Sequence, residues 1–528
     1  MSPRWPAAGP GLLKAGAAVV FAAVWAFRWL SLGAVENDHF VALARAHQLL
    51  HGDWPVRDFA DPGQPLTYLL SAGAAWLFGP TLRTDVTLAI TLLALAASLT
   101  YLLAVRASGS LIIAAAAVAV EVVAAPRLYN AGKILIPLAG IGLGWRYADS
   151  PSSPRLIALA AWTAVACLWR HDFIVYMAIP TIALLGVCHE RPRAMRLATV
   201  YLAVTFVFLL PWFAYVQWAG SIASYLGAAF RFTATEAQRT VTWPGNAWAM
   251  FAAIMAIPVL AIVLGRRSNE RLSFASSERV SFAHERVSFA SERVSFAHIV
   301  FAASMALMAN FVLLRDVIAT RLPDVIALTA VLVAWIAGRV IPTRVLRTSA
   351  VVAILLAVVL VGWRLKSQGF GVPTPGKVVR RFATVSNMLR DEAPEVIPNH
   401  ERLPLIRYLS SCTPGSSRVF VAGFAPEIPV LSRRPFAGGL PSWIPGYYIN
   451  ASDVERAAAQ LARETVSLAV MLEGSESFVE EWPRLADDLR RRGFVERTWH
   501  LDGSDVAVWI PKELAARAPA APPPQCKP

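Results

Sequence analysis

The chain has 528 residues, of which 56% are hydrophobic and only 16% charged; with a positive mean hydropathy, this excludes an ordinary soluble protein and points to a polytopic membrane protein. A formal charge of +14 would suggest nucleic acid in a soluble chain, but here the basic residues collect in short connectors between apolar runs. That is the pattern of a cytoplasmic membrane face and its lipid phosphates, so membrane lipids are expected as partners and nucleic acid is not.

The first apolar run, residues 12 to 33, carries only Lys14 and Arg28 as charges. As a helix it can cross a hydrocarbon layer of roughly 30 Å. No small-residue cleavage site follows it clearly enough to make it a removable signal peptide. It ends at Glu36-Asn37-Asp38-His39-Phe40, with two carboxylates one residue apart. On a loop such a pair could share a cation; at a helix start one oxygen can be held by amides while the other takes a proton. The bland alternative is a polar stop for the first helix. Apolar residues at 40, 41, 43, 44, 46, 49 and 50 then form a stripe suited to a helix lying in the interface. Gly52-Asp53-Trp54-Pro55-Val56-Arg57-Asp58-Phe59-Ala60-Asp61-Pro62-Gly63 completes a first loop over residues 34 to 64.

Further apolar runs stand at 65–79, 86–105, 109–125, 134–147, 155–169, 173–188, 197–218, 246–264, 299–314, 323–340 and 348–363, twelve in all with the first. Basic clusters at His189 to Arg196, Arg266 to Arg293 and Arg339 to Arg347 should be cytoplasmic, which puts the first loop and everything beyond Arg364 outside. Parity then requires that one run between 65 and 125 be re-entrant, interfacial or fused with its neighbour, leaving about eleven spans.

Two polar interruptions fall on the outward side of this topology. Arg127-Leu128-Tyr129-Asn130-Ala131-Gly132-Lys133 places cations there, with a binding role and interfacial anchoring as equal alternatives. Arg170-His171-Asp172 is costly between two apolar runs and reads as functional, with His171 paired with Asp172 to orient a bound group or relay a proton. Arg315-Asp316 with Arg321 forms another outer polar cluster, equally well an internal ion pair.

Residues 273 to 298 repeat Ser-Phe-Ala-(His/Ser)-Glu-Arg-Val in near-perfect heptads. Val280, Ala283, Val287, Ala290 and Val294 would give a helix a thin apolar seam for the cytoplasmic membrane surface. The seam is so weak that a tolerated, duplicated loop is the favoured reading.

Beyond Arg364 the chain becomes an α/β domain, residues 365 to 514. Strands are expected at Arg418 to Ala422, Val466 to Leu472, Phe494 to Leu501 and Val506 to Ile510. Ser452-Asp453-Val454-Glu455 looks like a capping box leading into Ala457 to Arg463, and Glu480 to Arg492 is a second amphipathic helix. Gly423 to Glu427 and Arg433-Arg434-Pro435 follow the first strand as a loop or plain turn. The Ala/Pro tail from 515 to 528 is expected to be disordered. Of the four cysteines, at 167, 188, 412 and 526, none has metal-ligand spacing, and Cys526 in the tail is expected to be unpaired rather than joined to Cys412.

Glu36-Asn37-Asp38, Leu49-Leu50-His51-Gly52, Pro55-Val56-Arg57-Asp58-Phe59 and Pro65-Leu66 together resemble the first outer loop of the GT-C superfamily of membrane glycosyltransferases, in the branch of protein O-mannosyltransferases and aminoarabinose transferases. The resemblance is best over residues 30 to 80 and looser elsewhere. It implies an inverting glycosyltransferase in the cell (inner) membrane, multi-pass, with the C-terminal domain extracytoplasmic. A polyprenyl-phosphate-linked sugar would be the donor and a lipid, glycan or protein hydroxyl the acceptor. Gly423 to Pro435 is similar to a strand-loop segment of such outer domains. The family branch often has adjacent acids where this chain has Asn37, so either Asp38 or Glu36 stands as the base. Arg57, Arg127, Lys133, Arg170, His171 and Asp172 are the candidates for donor phosphate and its surroundings. No motif demands a cofactor; a divalent cation, Mg or Mn, on Glu36 and Asp38 is compatible with their spacing. The rival reading is a transporter or flippase for a lipid-linked or anionic solute, against which stands the lack of internal symmetry. A third reading is a sensor or assembly protein whose outer domain binds a partner.

Overall fold

The computed structural model describes residues 9–238, 245–277, 295–311, 313, 318–340, 343–367, 374–444, 449–501 and 504–515. Each of the twelve apolar runs is a helix of its own. The chain opens with α1 (Pro10–Leu30), the interfacial candidate α2 (Asn37–Leu50), α3 (Pro65–Phe78), α4 (Leu82–Ser108) and α5 (Leu111–Ala124). It continues with α6 (Ala131–Asp149), α7 (Ser153–Trp169), α8 (Phe173–Cys188) and α9 (Arg191–Ala219). Then come α10 (Ile222–Gln238), which the hydropathy pattern does not announce, α11 (Gly245–Ser277), α12 (Phe296–Asn310), α13 (Ile318–Val340) and α14 (Thr343–Ser367).

Six of these, α1, α4, α9, α11, α13 and α14, are long and apolar enough to cross a membrane, and α3, α5, α7, α8 and α12 are shorter apolar helices. The chain is a multi-pass membrane protein. Fusion of neighbours does not resolve the parity problem, because Gly79 (φ 95°) and Gly109 (φ 71°) break the chain on both sides of α4. The 14 residues of α3 and of α5 rise only about 21 Å as α-helices.

The chain divides into two compact units. The first comprises residues 1–31, 89–212 and 236–381, and its core is a helix bundle. Small residues on α6 let neighbouring helices close in: a Cβ on Gly132 would lie 1.9 Å from Cε2 of Trp169, and one on Gly144 would lie 2.4 Å from Cε1 of Phe301. The end of the heptad repeat is put to structural use here. Ser295 caps α12, its backbone N–H donating to Nδ1 of His298 at 3.0 Å. Residues 273–277 extend α11, and 278–294 lie outside the described residues, as do Arg315 and Asp316.

The second unit comprises residues 32–88, 213–235 and 382–528. The first loop therefore groups with the C-terminal part of the chain, a division that cuts across the boundary drawn at Arg364. The boundary at residue 382 falls within α15 (Pro375–Arg390), after which come α16 (Leu403–Cys412), β1 (Arg418–Ala422), α17 (Glu427–Ser432) and α18 (Ala451–Leu461). After them come β2 (Val466–Met471), α19 (Ser475–Glu481), α20 (Pro483–Arg491), β3 (Phe494–Leu501), β4 (Ser504–Pro511) and α21 (Lys512–Ala515). The sheet order is β1-β2-β4-β3, with β1 parallel to β2 and the other two pairs antiparallel. Phe420, Trp443, Phe478, Trp482 and Trp509 pack in its core.

All four expected strands are present. Two helix details differ. The capping box of α18 is Asn450 with Asp453, not Ser452 with Glu455: the Asn450 side chain accepts from the N–H groups of Ser452 and Asp453, and Asp453 accepts from that of Asn450. The expected helix 480–492 is broken at Trp482, because Pro483 starts α20 afresh. Cys412 is disulfide-bonded, against the expectation, with its partner outside the described residues, whereas Cys167 and Cys188 are free thiols. Residues 516–528 are likewise outside the described set.

Candidate functional site

The acid pair sits where the backbone turns into α2. Glu36 is the N-cap in extended conformation, its carboxylate making no cap bond, and Asp38 stands in the first turn. Both are exposed, while His39 and Phe40 are buried. The helix turns the acids toward solvent and the next two side chains inward, and the positive end of the helix dipole favours a carboxylate at this point. His39 has a buried partner: its Nε2 lies 2.5 Å from Oδ2 of Asp85, in the first turn of α4. Ser71 of α3 also hydrogen-bonds Asp85. A buried His–Asp pair thus ties the start of α2 to α3 and α4.

The rest of the loop is dense in bonds. Arg57 pairs with Asp58 at 2.6 Å on the surface, and this hydrogen bond raises the Arg57 pKa. Asp58 also accepts from the Trp54 N–H at 2.8 Å, and Tyr215 donates to the Pro55 carbonyl at 2.6 Å. Between them Val56 is held at φ 68°, a strained conformation for a β-branched residue. Asp61 accepts from the N–H groups of Gly63 and Gln64, both at 3.0 Å, and from the Tyr225 hydroxyl at 2.7 Å. Arg45, buried in α2, donates to the carbonyls of Ala60 and Val41; burial lowers its pKa, and Asp61 opposes the shift.

In the first unit, Arg127, Lys133 and Arg321 gather near Tyr129 and Asp324. Arg127 donates to the Tyr129 hydroxyl at 2.6 Å, and Lys133 Nζ lies 5.8 Å from the centre of that ring. Asp324 is buried, accepts from the Asn130 amide at 2.8 Å, and has Lys133 at 3.9 Å and Arg321 at 4.0 Å. Asn130 starts α6 and Asp324 lies near the start of α13, so two helix beginnings carry the cluster. The second interruption forms the turn between α7 and α8. There Arg170 donates to Asp172 at 2.7 Å and stacks over Phe173. Asp172 is thus held by Arg170, and His171, between them in sequence, is half-buried. Arg127, Lys133, Arg170, His171 and Asp172 belong to the first compact unit; Glu36, Asp38 and Arg57 belong to the second.

No protein-family profile matches the chain, and no curated protein matches it. Solved structures do. ArnT from Cupriavidus metallidurans bound to undecaprenyl phosphate is 14% identical with a TM-score of 0.50, over 99% of this chain and all of that one. The same ArnT in the apo state is 15% identical, also at a TM-score of 0.50, over 94% of this chain and 98% of its own. The chain has the GT-C fold.

Within this GT-C fold, several charged residues enter networks that were invisible to sequence reading. Asp85 stands beside an apolar run and Asp324 inside one, and each finds its partner far away in sequence, His39 and Asn130. Asp61 could have been noted from the turn signal Asp61-Pro62-Gly63, but its bond to Tyr225 spans 164 residues. Among the described residues no three His, Cys, Asp or Glu side chains converge. Among the described residues Glu36 and Asp38 are joined by no third such ligand, and no chemical step is routed through a cation.

Proposed function

We propose that the chain is an inverting glycosyltransferase that moves a sugar from a polyprenyl-phosphate donor to an acceptor hydroxyl outside the cytoplasm. The observation that carries this reading is the exposed pair Glu36 and Asp38 at the N-terminus of α2, in a chain with the GT-C fold. Undecaprenyl phosphate bound to ArnT supports the donor class.

In this mechanism Asp38, with Glu36 as the alternative, takes the proton of the acceptor hydroxyl as its oxygen attacks the anomeric carbon. The bond from that carbon to the phosphate oxygen breaks, its electron pair leaves with the phosphate, and attack from the opposite face inverts the sugar. The charge that develops on the phosphate calls for fixed cations. Arg127, Lys133 and Arg170 are the candidates, with Arg57 on the loop beside Asp58. Asp172 would keep Arg170 in place, and His171 would orient the phosphate. The prenyl tail remains among the spans while the phosphosugar meets the acids at the interface.

The inner membrane and an extracytoplasmic C-terminal domain complete the proposal. The disulfide at Cys412 supports that side, since such bonds persist in oxidising compartments. The decisive experiment is lipid extraction from cells lacking the protein. An accumulated polyprenyl-phosphate sugar that disappears on expression of the parental chain supports the reading. A lipid profile identical with and without the protein would sink it, and accumulation on one face of the membrane with no sugar transferred would favour a flippase.

A further inference from the structure

One network in the second unit joins the acid-bearing helix to chain far away in sequence. Gln48, near the end of α2, is 1% exposed, and both atoms of its amide are used. Its Oε1 accepts from the Phe436 N–H at 3.0 Å; its Nε2 donates to the Phe436 carbonyl at 3.0 Å and to Asp53 Oδ2 at 2.7 Å. Arg418, the first residue of β1, forks onto Asp53 with bonds of 2.6 and 3.0 Å, also reaches the Phe436 carbonyl, and has Glu464 3.5 Å from its Nε. At the opposite end of the helix the Val35 N–H, one residue before Glu36, donates to the Val396 carbonyl at 2.9 Å. The backbone of the C-terminal part therefore holds α2 before its first turn and again in its last.

We infer that the C-terminal part of the chain is a positioning body for α2, and that Gln48 and Arg418 are positioning residues that set the direction of Glu36 and Asp38. A side-chain amide that accepts from the N–H and donates to the carbonyl of one residue fixes the rotation and height of the helix bearing it. Asp38 lies ten residues along that helix, about 15 Å away, so a small rotation at Gln48 is delivered to the carboxylate. A displacement of about 1 Å in a reacting group can cost roughly 10²-fold in rate. The C-terminal part is in this view a component of the reaction's geometry, whatever else it binds. The effect on rate rests on the transferase reading; the effect on α2 rests on the bonds alone.

The test uses the full chain in detergent, with the lipid-linked sugar that accumulates in cells lacking the protein as donor. Gln48→Leu removes the amide at similar volume, and Arg418→Lys keeps the charge but loses the fork. In Gln48→Leu, kcat should fall about tenfold or more with the donor KM within about twofold. Amide hydrogen exchange over residues 36–44 should quicken about tenfold. Arg418→Lys should move both quantities in the same direction by less. A folded Gln48→Leu with parental kcat, or with slowed transfer and parental exchange, overturns the inference, and so does an effect on KM alone. If Gln48→Leu fails to fold, Arg418→Lys decides by the same two measures. If the parental chain transfers no sugar, the transferase reading falls, and the exchange measurement alone decides whether α2 is held from the C-terminal part.

Discussion

Replacing Asp38 by Asn keeps the size and hydrogen-bonding capacity of the side chain while removing its charge and its basic oxygen. The structure bounds what this does to the fold. Asp38 is exposed in the first turn of α2, so the loss is that of a surface carboxylate at a helix N-terminus, about 0.3–1 kcal/mol. Loss of a general base costs about 10²–10⁴ in rate, which is roughly 3–5 kcal/mol of barrier. Catalysis should thus fall far more than stability, a separation that a residue serving only as a polar stop would not produce. Glu36→Gln is the necessary companion, because Glu36 is the exposed N-cap and can reach the same acceptor. Cells lacking the protein would be complemented with each single variant and with the double variant at matched membrane levels, and consumption of the accumulated lipid-linked sugar followed with time. We expect Asp38→Asn to be slowed by at least two orders of magnitude, with Glu36→Gln less affected. Near-parental consumption in both single variants and in the double variant would remove these carboxylates from the mechanism, and with them the main argument for an enzyme.

Asp85→Asn should destabilise the protein by about 3–5 kcal/mol, because it leaves His39 in a buried site without its acid, and thermal unfolding in detergent measures this directly. His47 is buried in α2, and burial pushes its imidazole down to about 4 from an ordinary 6.5. The folded state therefore binds this proton later than the unfolded chain does. The corresponding stability, about 3 kcal/mol, should be whole above pH 6.5 and disappear as the pH falls toward 4. His47→Gln should flatten that part of the curve of melting temperature against pH, and an unchanged slope would refute the assignment. Cys412 should react with a membrane-impermeant maleimide added from outside only after reduction; labelling from the cytoplasmic side alone would reverse the topology.

Much of the fold was readable because it depends on local pattern. Twelve apolar runs became twelve helices, and four short β-branched or aromatic runs became the four strands. Local chemistry misled only where two signals competed within a few residues. Ser452 and Asn450 are both good caps, and Asn450 took the position because its amide oxygen reaches two backbone N–H groups. Pro483 overrode an amphipathic stripe that runs through it, since its ring suits a first helical turn and opposes an interior one.

The candidate site was legible only in part, for a physical reason that separates its two kinds of residue. Glu36 and Asp38 could be nominated because an acid at the end of an apolar run is conspicuous without knowledge of any neighbour. Arg127 and Lys133 could be nominated in the same way. A positioning residue has no such signature. Gln48 is one polar residue on an apolar stripe, and in sequence it reads as the edge of an interfacial face; its meaning lies in Phe436, 388 residues away. Asp85 and Asp324 likewise look like tolerated charges at the beginnings of helices until His39 and Asn130 are brought to them. Burial supplies the selection that proximity in sequence lacks. A polar group enclosed without partners costs more than most folds can spare, so each of these side chains specifies a mate as strictly as it needs one. The acids proposed to meet a substrate escape that demand by remaining exposed, which is why candidates for reaction can be nominated from the chain alone while the buried groups that hold α2 emerge only from the fold.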